Sequence, residues 1–134
     1  MLIRQVEIIL YVKDLQRSRD FYSTILQKKP VLDVPGKTEF ILSSNLKLGL
    51  MPENGIAKIL SDKTPHPSSG NGIPRCELYI HTDNIEESFE LAKKAGAKEI
   101  SGIQERNWGD TVGYLSDFDG HIIAFAVKTV LPPT

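Results

Sequence analysis

The stretch of sequence that decides the fold is VEIILYVKDLQRSRDFYSTIL, residues 6–26. Its first seven residues are valine, isoleucine, leucine and tyrosine with a single glutamate, which is typical of a β-strand. Asp14 is a favourable N-cap, and apolar residues recur after it at helical spacing. The pattern predicts a strand over 6–12 followed by an amphipathic helix. The stripe of this helix that we expect to be buried comprises Leu15, Phe21, Tyr22, Ile25 and Leu26.

Three shorter strand candidates follow the helix, around residues 31–33, 38–42 and 46–51. A Pro-Gly pair at 35–36 and a Ser-Ser-Asn run at 43–45 provide the turns between them. The first half of the chain is therefore predicted to be one βαβββ module.

The second half repeats this plan from ELYIHTDNIEESFELAKKA, residues 77–95. It predicts a strand over 77–82, a cap at Asn84, a helix from Ile85 to about Ala95, and a helix stop at Gly96. Further strand candidates lie near 98–100, 112–116 and 121–127. The helix positions expected to be buried are Ile85, Leu91 and Ala92.

An offset of 70 aligns the two halves, placing Glu7 on Glu77 and Asp14 on Asn84. A repeated unit of this size is a stronger signal than any short motif. Three prolines, two glycines and two serines mark residues 63–75 as an irregular linker. We therefore predict a single α+β domain over 1–134, with module one at about 1–62, the linker at 63–75 and module two at 76–134.

Composition excludes several classes of protein. The net charge of −1 lacks the basic excess that nucleic-acid binding requires. No apolar stretch approaches the roughly 20 residues of a membrane span, and the N-terminus has no signal-peptide pattern. The one cysteine, Cys76, allows no intrachain disulfide, which favours the cytoplasm. Strand parity predicts that this cysteine, at the start of a strand, points away from the face that carries the candidate binding residues. This favours a structural thiol over a nucleophile.

Two phrases carry a family resemblance. They are VKDLQRSRDFY at 12–22, and Trp108-Gly109 followed by YLSDFDGH at 114–121. In both, the chain resembles the vicinal oxygen chelate superfamily, which includes glyoxalase I, extradiol dioxygenases and the fosfomycin- and bleomycin-resistance proteins. The resemblance implies a cupped, half-barrel mixed sheet with the helices outside and a small-molecule pocket in the cup. It also implies pairing of modules, often between chains, so we expect a homodimer.

Side chains alternate faces along a strand, which separates helix-facing from cup-facing residues. Metalloenzymes of the superfamily take metal ligands from four cup-facing positions, two at the starts of the first strands and two on the last strands. By this resemblance the first pair is Glu7 and Glu77, and the second pair is Gly49 and Ala124. Glycine and alanine cannot coordinate, so we expect no catalytic metal. If a metal such as Zn, Ni, Mn or Fe is bound, Glu7 and Glu77 are its expected ligands.

No catalytic residue is assigned from the sequence, but a binding surface is. Two readings of the glutamates stay open: an acidic pocket that attracts a cation, or carboxylates that are solvated or neutralised by lysine or arginine. Trp108 is either a stacking surface for the ligand or a packing aromatic at the hairpin edge. The candidate ligand-binding residues are Glu7, Ile9, Tyr11, Lys47, Gly49, Met51, Glu77, Tyr79, His81, Trp108 and Ala124.

Three functions are compatible with this reading. The leading hypothesis is a protein of the bleomycin-resistance type that binds a small aromatic or cationic molecule without a catalytic metal. The first alternative is a metal-dependent lyase, isomerase or dioxygenase of the glyoxalase I type; as an enzyme the chain would be similar to a lactoylglutathione lyase. The second is a scaffold or regulatory domain with a vestigial cup. The pair Gly49 and Ala124 is the feature that discriminates among them.

Overall fold

A computed structural model describes residues 1–130 of the chain, so the last four residues of module two lie outside it. The fold is α+β, and the chain divides into two compact units between Asn71 and Gly72, within the predicted linker. The first unit contains β1 Val6–Val12, α1 Leu15–Leu26, β2 Leu32–Val34, β3 Lys37–Ser43, β4 Leu46–Pro52 and α2 Glu53–Leu60. The second contains β5 Glu77–His81, α3 Ile85–Lys94, β6 Lys98–Glu105, β7 Asp110–Ser116 and β8 Ile122–Lys128.

Each unit has its own open, four-stranded mixed sheet. The strand orders are β1-β4-β3-β2 and β5-β8-β7-β6. In both sheets the first pair is parallel and the other pairs are antiparallel. The same order in both units is what a repeated βαβββ module requires, and it confirms the predicted fold class.

In module one, α1 packs on β3 and β4. The helix begins where predicted, because Asp14 Oδ1 accepts a hydrogen bond from the Arg17 N–H at 3.1 Å. Of the predicted stripe, Phe21, Tyr22 and Ile25 are buried, whereas the two leucines at its ends are half-buried. Burying side chains of this size contributes about 1.5–3 kcal/mol each.

In module two, α3 packs on β7 and β8 and also begins at its predicted cap. Asn84 Oδ1 accepts a hydrogen bond from the Glu87 N–H at 3.1 Å. Ile85 and Ala92 are buried, and Leu91 is half-buried. Phe89 was missed as a core residue; it is 4% exposed.

The elements differ from the sequence prediction in three places. The helix α2 was not predicted; its eight residues follow β4 directly, and Ile56 is its one buried residue. Strand β6 runs five residues beyond its predicted end at Ile100, through two irregularities in its pairing with β7. Strand β7 begins at Asp110, two residues before its predicted start. None of the helices in residues 1–130 is long and apolar enough to cross a membrane.

Candidate functional site

The register of the first sheet places four charged residues, together with Tyr11 and several apolar residues, on the face opposite to its buried core. We call this surface the Glu7 face. Glu7 pairs with Lys47, and Gly49 lies between Ile9 on β1 and Glu39 on β3. The residues of the Glu7 face are Glu7, Ile9, Tyr11, Lys37, Glu39, Ile41, Lys47, Gly49 and Met51. All six candidate residues of module one are among them.

The charges of the Glu7 face are paired. Lys37 Nζ donates a hydrogen bond to Glu7 Oε2 at 2.7 Å and lies 3.1 Å from Glu39 Oε2. Lys47 Nζ lies 3.6 Å from Glu39 Oε1. The two carboxylate side chains are only 18% and 14% exposed. In this structure Glu7 is therefore neutralised by a lysine, which is the second of the two interpretations. An acidic pocket built on Glu7 is not supported.

The pairing shifts the pKa values of two members. The hydrogen bond with Glu7 raises the pKa of Lys37, and the contact with Glu39 adds to the effect against the cost of burial. Interactions with the Glu7 carboxyl group and with Lys37 lower the pKa of Glu39, against the cost of burial. Lys37 and Glu39 are therefore both charged at neutral pH.

The small size of Gly49 does not leave open space on this face. A Cβ atom on Gly49 would lie 3.1 Å from Ile9 Cγ1 and 3.3 Å from Glu7 Cδ. The space beside Gly49 is filled by the side chains of Ile9 and Glu7 on β1. Within residues 1–130, Glu7 Oε1 is the one buried side-chain polar atom that has no hydrogen-bond partner.

The second sheet carries a different surface, which we call the Tyr79 face. Tyr79 Oη donates a hydrogen bond to Asp110 Oδ2 at 2.6 Å and accepts one from Trp108 Nε1 at 2.9 Å. His81 packs edge-on against Tyr79 with ring centroids 5.5 Å apart, and its Nε2 lies 4.0 Å from Asp110 Oδ2. The structure therefore brings together three candidates, Tyr79, His81 and Trp108, around a carboxylate that the sequence analysis did not name.

Burial raises the pKa of the Tyr79 hydroxyl, and the hydrogen bond to Asp110 raises it further. Tyr79 therefore keeps its proton at neutral pH and remains a donor to Asp110. Asp110 is almost fully buried, whereas the residue Trp108 is 56% exposed. The chain of hydrogen bonds from Trp108 through Tyr79 to Asp110 fixes an exposed aromatic ring to a buried carboxylate.

Ala124 and Glu77 have different surroundings. Ala124 is fully buried in a small apolar cluster with Val112 and Ala126, against which Tyr79 and Tyr114 pack. The space beside Ala124 is therefore also filled. Glu77 is exposed at the start of β5. The expectation that one pocket gathers candidate residues of both modules stays a prediction.

The metal implied by the resemblance does not fit the residues present. Gly49 and Ala124 supply no ligand atom, and Glu7 is held by Lys37. Within the described residues, one group of three side chains has ligand atoms close enough to share an ion: Asp117, Asp119 and His121, in the β7–β8 turn. Asp117 already accepts the Asp119 and His121 N–H groups at 2.9 Å each and contacts His121 Nδ1 at 2.8 Å. These bonds shape the turn.

Three charged residues of the two faces were missed: Lys37, Glu39 and Asp110. Asp110 could have been found, since it has the same strand parity as Val112 and Tyr114 once β7 is extended by two residues. Lys37 reaches Glu7 across 30 residues of sequence, so only the strand pairing reveals that contact.

Comparison with known proteins identifies the family. The model of the glyoxalase-like domain matches residues 5–128. An uncharacterized protein of Mycobacterium bovis is 26% identical over 120 residues, which are 84% of this chain and 75% of that protein. A glyoxalase-related enzyme from Fulvimarina pelagi has a similar structure, with a TM-score of 0.78 and 21% identity over 93% of this chain and 88% of that one. A glyoxalase/bleomycin resistance protein/dioxygenase family enzyme from Burkholderia phytofirmans gives a TM-score of 0.72 at 14% identity, over 92% and 96% of the two chains. The chain, with its two βαβββ modules, belongs to the glyoxalase-like domain family of the vicinal oxygen chelate superfamily.

Proposed function

We propose that this protein binds a small aromatic cation on the Tyr79 face and needs no catalytic metal to do so. One observation carries the proposal: the exposed indole of Trp108 donates its N–H to Tyr79, which in turn is hydrogen-bonded to Asp110. Family membership supports a protein that acts on small molecules, but the fold hosts many chemistries, so the argument rests on these side chains.

Trp108 is suited to stacking because its orientation is already fixed. The bond from Nε1 to Tyr79 restrains the ring while 56% of the residue is exposed. Little conformational entropy is then lost when a flat ligand packs on the ring. An indole face also attracts cations, by about 0.5–1 kcal/mol at an exposed site and about 2 kcal/mol when water is excluded.

A buried carboxylate on this face supports binding of a cation. Asp110, which accepts the hydrogen bond from Tyr79, is buried, and its cross-strand partner Lys128 is exposed. A partly buried carboxylate acts more strongly on a nearby charge than one in bulk water. The Glu7 face, in contrast, has two carboxylates paired with two lysines and offers a cation no net charge.

Trp108 is the only tryptophan, so intrinsic fluorescence reports directly on this site. We expect saturable quenching by an aromatic cation such as bleomycin or an acridine dye. Asp110→Asn keeps an acceptor for Tyr79 but removes the charge, and should weaken binding of the cation about tenfold while sparing a neutral aromatic of similar size. Glu86→Gln is the matched control, since Glu86 is an exposed carboxylate in the first turn of α3.

Two results would reject the proposal. One is the absence of quenching by any aromatic cation at millimolar concentration. The other is an equal loss of affinity in Asp110→Asn and Glu86→Gln, which would indicate a general charge effect. The metal-dependent lyase or dioxygenase has no support from the donor set, because half of the family's ligand positions lack a ligand atom.

Homodimer formation, implied by the resemblance, is also proposed. It is supported by exposed apolar side chains at and before the edge strand β1, namely Leu2, Ile3, Val6 and Ile8. Sedimentation should show a dimer, and Ile8→Lys should shift the equilibrium toward monomer. A monomer at all concentrations would contradict this part of the proposal.

A further inference from the structure

The turn between β6 and β7 carries two residues that contact the tyrosines of the Tyr79 face. Arg106 and Trp108 are two positions apart in this turn, which the Arg106 N–H closes by donating a hydrogen bond to Asp110 O at 2.8 Å. The Trp108 indole extends to Tyr79 on β5. The Arg106 guanidinium lies instead over the ring of Tyr114, with its Cζ atom 5.1 Å from the ring centre. One short turn therefore positions both an aromatic ring and a cation.

The Arg106 guanidinium is fixed along one of its edges. Its Nη2 donates hydrogen bonds to Gly102 O at 2.8 Å, to Val112 O at 3.0 Å and to Ser101 Oγ at 3.1 Å. Its Nε donates to Val112 O at 3.3 Å. These bonds hold the group against β6 and β7 before any ligand binds, so little side-chain entropy is left to lose.

The charge of Arg106, in contrast, is not balanced. Its hydrogen bonds go to two carbonyls and a hydroxyl, and no carboxylate in residues 1–130 lies within ion-pair distance of it. Carbonyl oxygens satisfy N–H groups but do not neutralise a positive charge. Its Nη1 makes no hydrogen bond with the described residues and is not buried. The remaining part of the guanidinium is thus a fixed donor for an anion.

Arg106 and Asp110 are close in the backbone, but their side chains do not pair. The Asp110 carboxylate accepts the hydrogen bond of the Tyr79 hydroxyl at 2.6 Å, whereas the guanidinium is bonded to Gly102 on β6. A direct ion pair would cancel both charges. The structure instead anchors a negative and a positive group separately, and a ligand that carries both charges can complement each of them.

We propose that Arg106 binds a carboxylate of the ligand, so that the ligand class of the Tyr79 face is an aromatic zwitterion. The inference rests on the function proposed above and adds a second charged contact to the same face. With its ring stacked on Trp108, the ligand directs its cationic group toward Asp110 and its carboxylate toward Arg106.

The test compares two ligands that share a ring system. They are 9-aminoacridine, a cation at neutral pH, and 9-aminoacridine-4-carboxylate, which carries a carboxylate as well. Calorimetric titration gives both dissociation constants, and quenching of Trp108 reports that the ring binds beside it. The wild type should bind the carboxylate compound about tenfold more tightly, because one charge-assisted hydrogen bond is added.

Variants of Arg106 assign this preference. Arg106→Gln keeps an N–H donor but removes the charge, so it should weaken binding of the carboxylate compound and strengthen binding of 9-aminoacridine. A purely structural role would weaken both. Arg106→Lys keeps the charge and should retain part of the preference. Lys94→Gln is the control, since it removes a positive charge from the end of α3, which packs on the other face of the sheet.

Three results would overturn the inference while leaving the cation site in place. They are equal affinity of the wild type for the two compounds, an equal loss of affinity for both in Arg106→Gln, and a preference that persists unchanged in Arg106→Gln. Absence of binding by either compound would overturn the inference together with the proposed function. If Arg106→Gln does not fold, the preference of the wild type and its retention in Arg106→Lys decide.

Discussion

The two modules have the same strand order but opposite chemistry on corresponding faces. On the Glu7 face two lysines pair with two glutamates, and the charges cancel within the sheet. On the Tyr79 face aromatic rings cover small residues, and the buried carboxylate of Asp110 lies behind them. The repeat thus conserves a backbone frame while each module supplies its own side-chain chemistry. We interpret the Glu7 face as one whose charges are paired with each other, and the Tyr79 face as available to a ligand.

Glycines in the two sheets give the largest expected contrast. A Cβ on Gly113 would lie 2.7 Å from the ring of Phe89 and 2.8 Å from Ile103 Cγ1, so Gly113→Ala should destabilise the protein by about 2–3 kcal/mol through overpacking. Gly49→Ala should cost less than about 1 kcal/mol, because its nearest contacts are 3.1 Å or longer and the strand gains from losing a glycine. Urea unfolding of both variants measures the difference. Equal costs would show that the two glycines do not differ in packing as the structure indicates.

These glycines also show what the sequence could and could not predict. Strand β1, both helix caps and the parity of Tyr79 and His81 follow from local patterns, since each depends on neighbours within a few residues. The role of Gly113 does not, because its close partner Phe89 comes from α3. Residues that act across strands need the register, which a single sequence does not supply.

The same limit explains how the candidate sites changed. Parity placed Glu7 on the correct face, but its neutralisation depends on β3 lying two strands away. Trp108 was proposed as a stacking ring, while its fixation by Tyr79 joins residues 29 positions apart. The sequence therefore predicted which residues share a face, whereas contacts between strands determine how the charges on that face are paired.

Removing one hydroxyl from the Tyr79 face should have the next largest effect. Tyr79→Phe deletes the donor to Asp110 and the acceptor of Trp108, which should destabilise the protein by about 1–2 kcal/mol. Freed from its partner, the Trp108 indole should also give a red-shifted and more mobile emission. Tyr114→Phe is the control, since it removes a hydroxyl from the same face without interrupting this chain. Identical unfolding curves and spectra for Tyr79→Phe and the wild type would show that the chain of hydrogen bonds contributes nothing in solution.

The smallest expected effect is on the pH dependence of folding stability, which should differ between the Glu7 face and the Tyr79 face. The pKa of Glu39 is lowered in the folded state, so the stability it contributes is present above its unfolded pKa of about 4.5 and is lost as the pH falls through the lower folded value. The pKa of Tyr79 is raised, so its contribution is present below its unfolded pKa of about 10 and is lost as the pH rises through the higher folded value. Lys37, whose pKa is also raised, adds to the loss of stability at alkaline pH.

Thermal midpoints measured across pH should therefore fall on the acid side, and this fall should be smaller in Glu39→Gln and unchanged in Tyr79→Phe. On the alkaline side, Tyr79→Phe should reduce the loss of stability, and the loss due to Lys37 should remain. A fall on the acid side that is unchanged in Glu39→Gln would mean that the ion pairs of the Glu7 face do not stabilise the folded protein, and that the two faces do not differ as proposed.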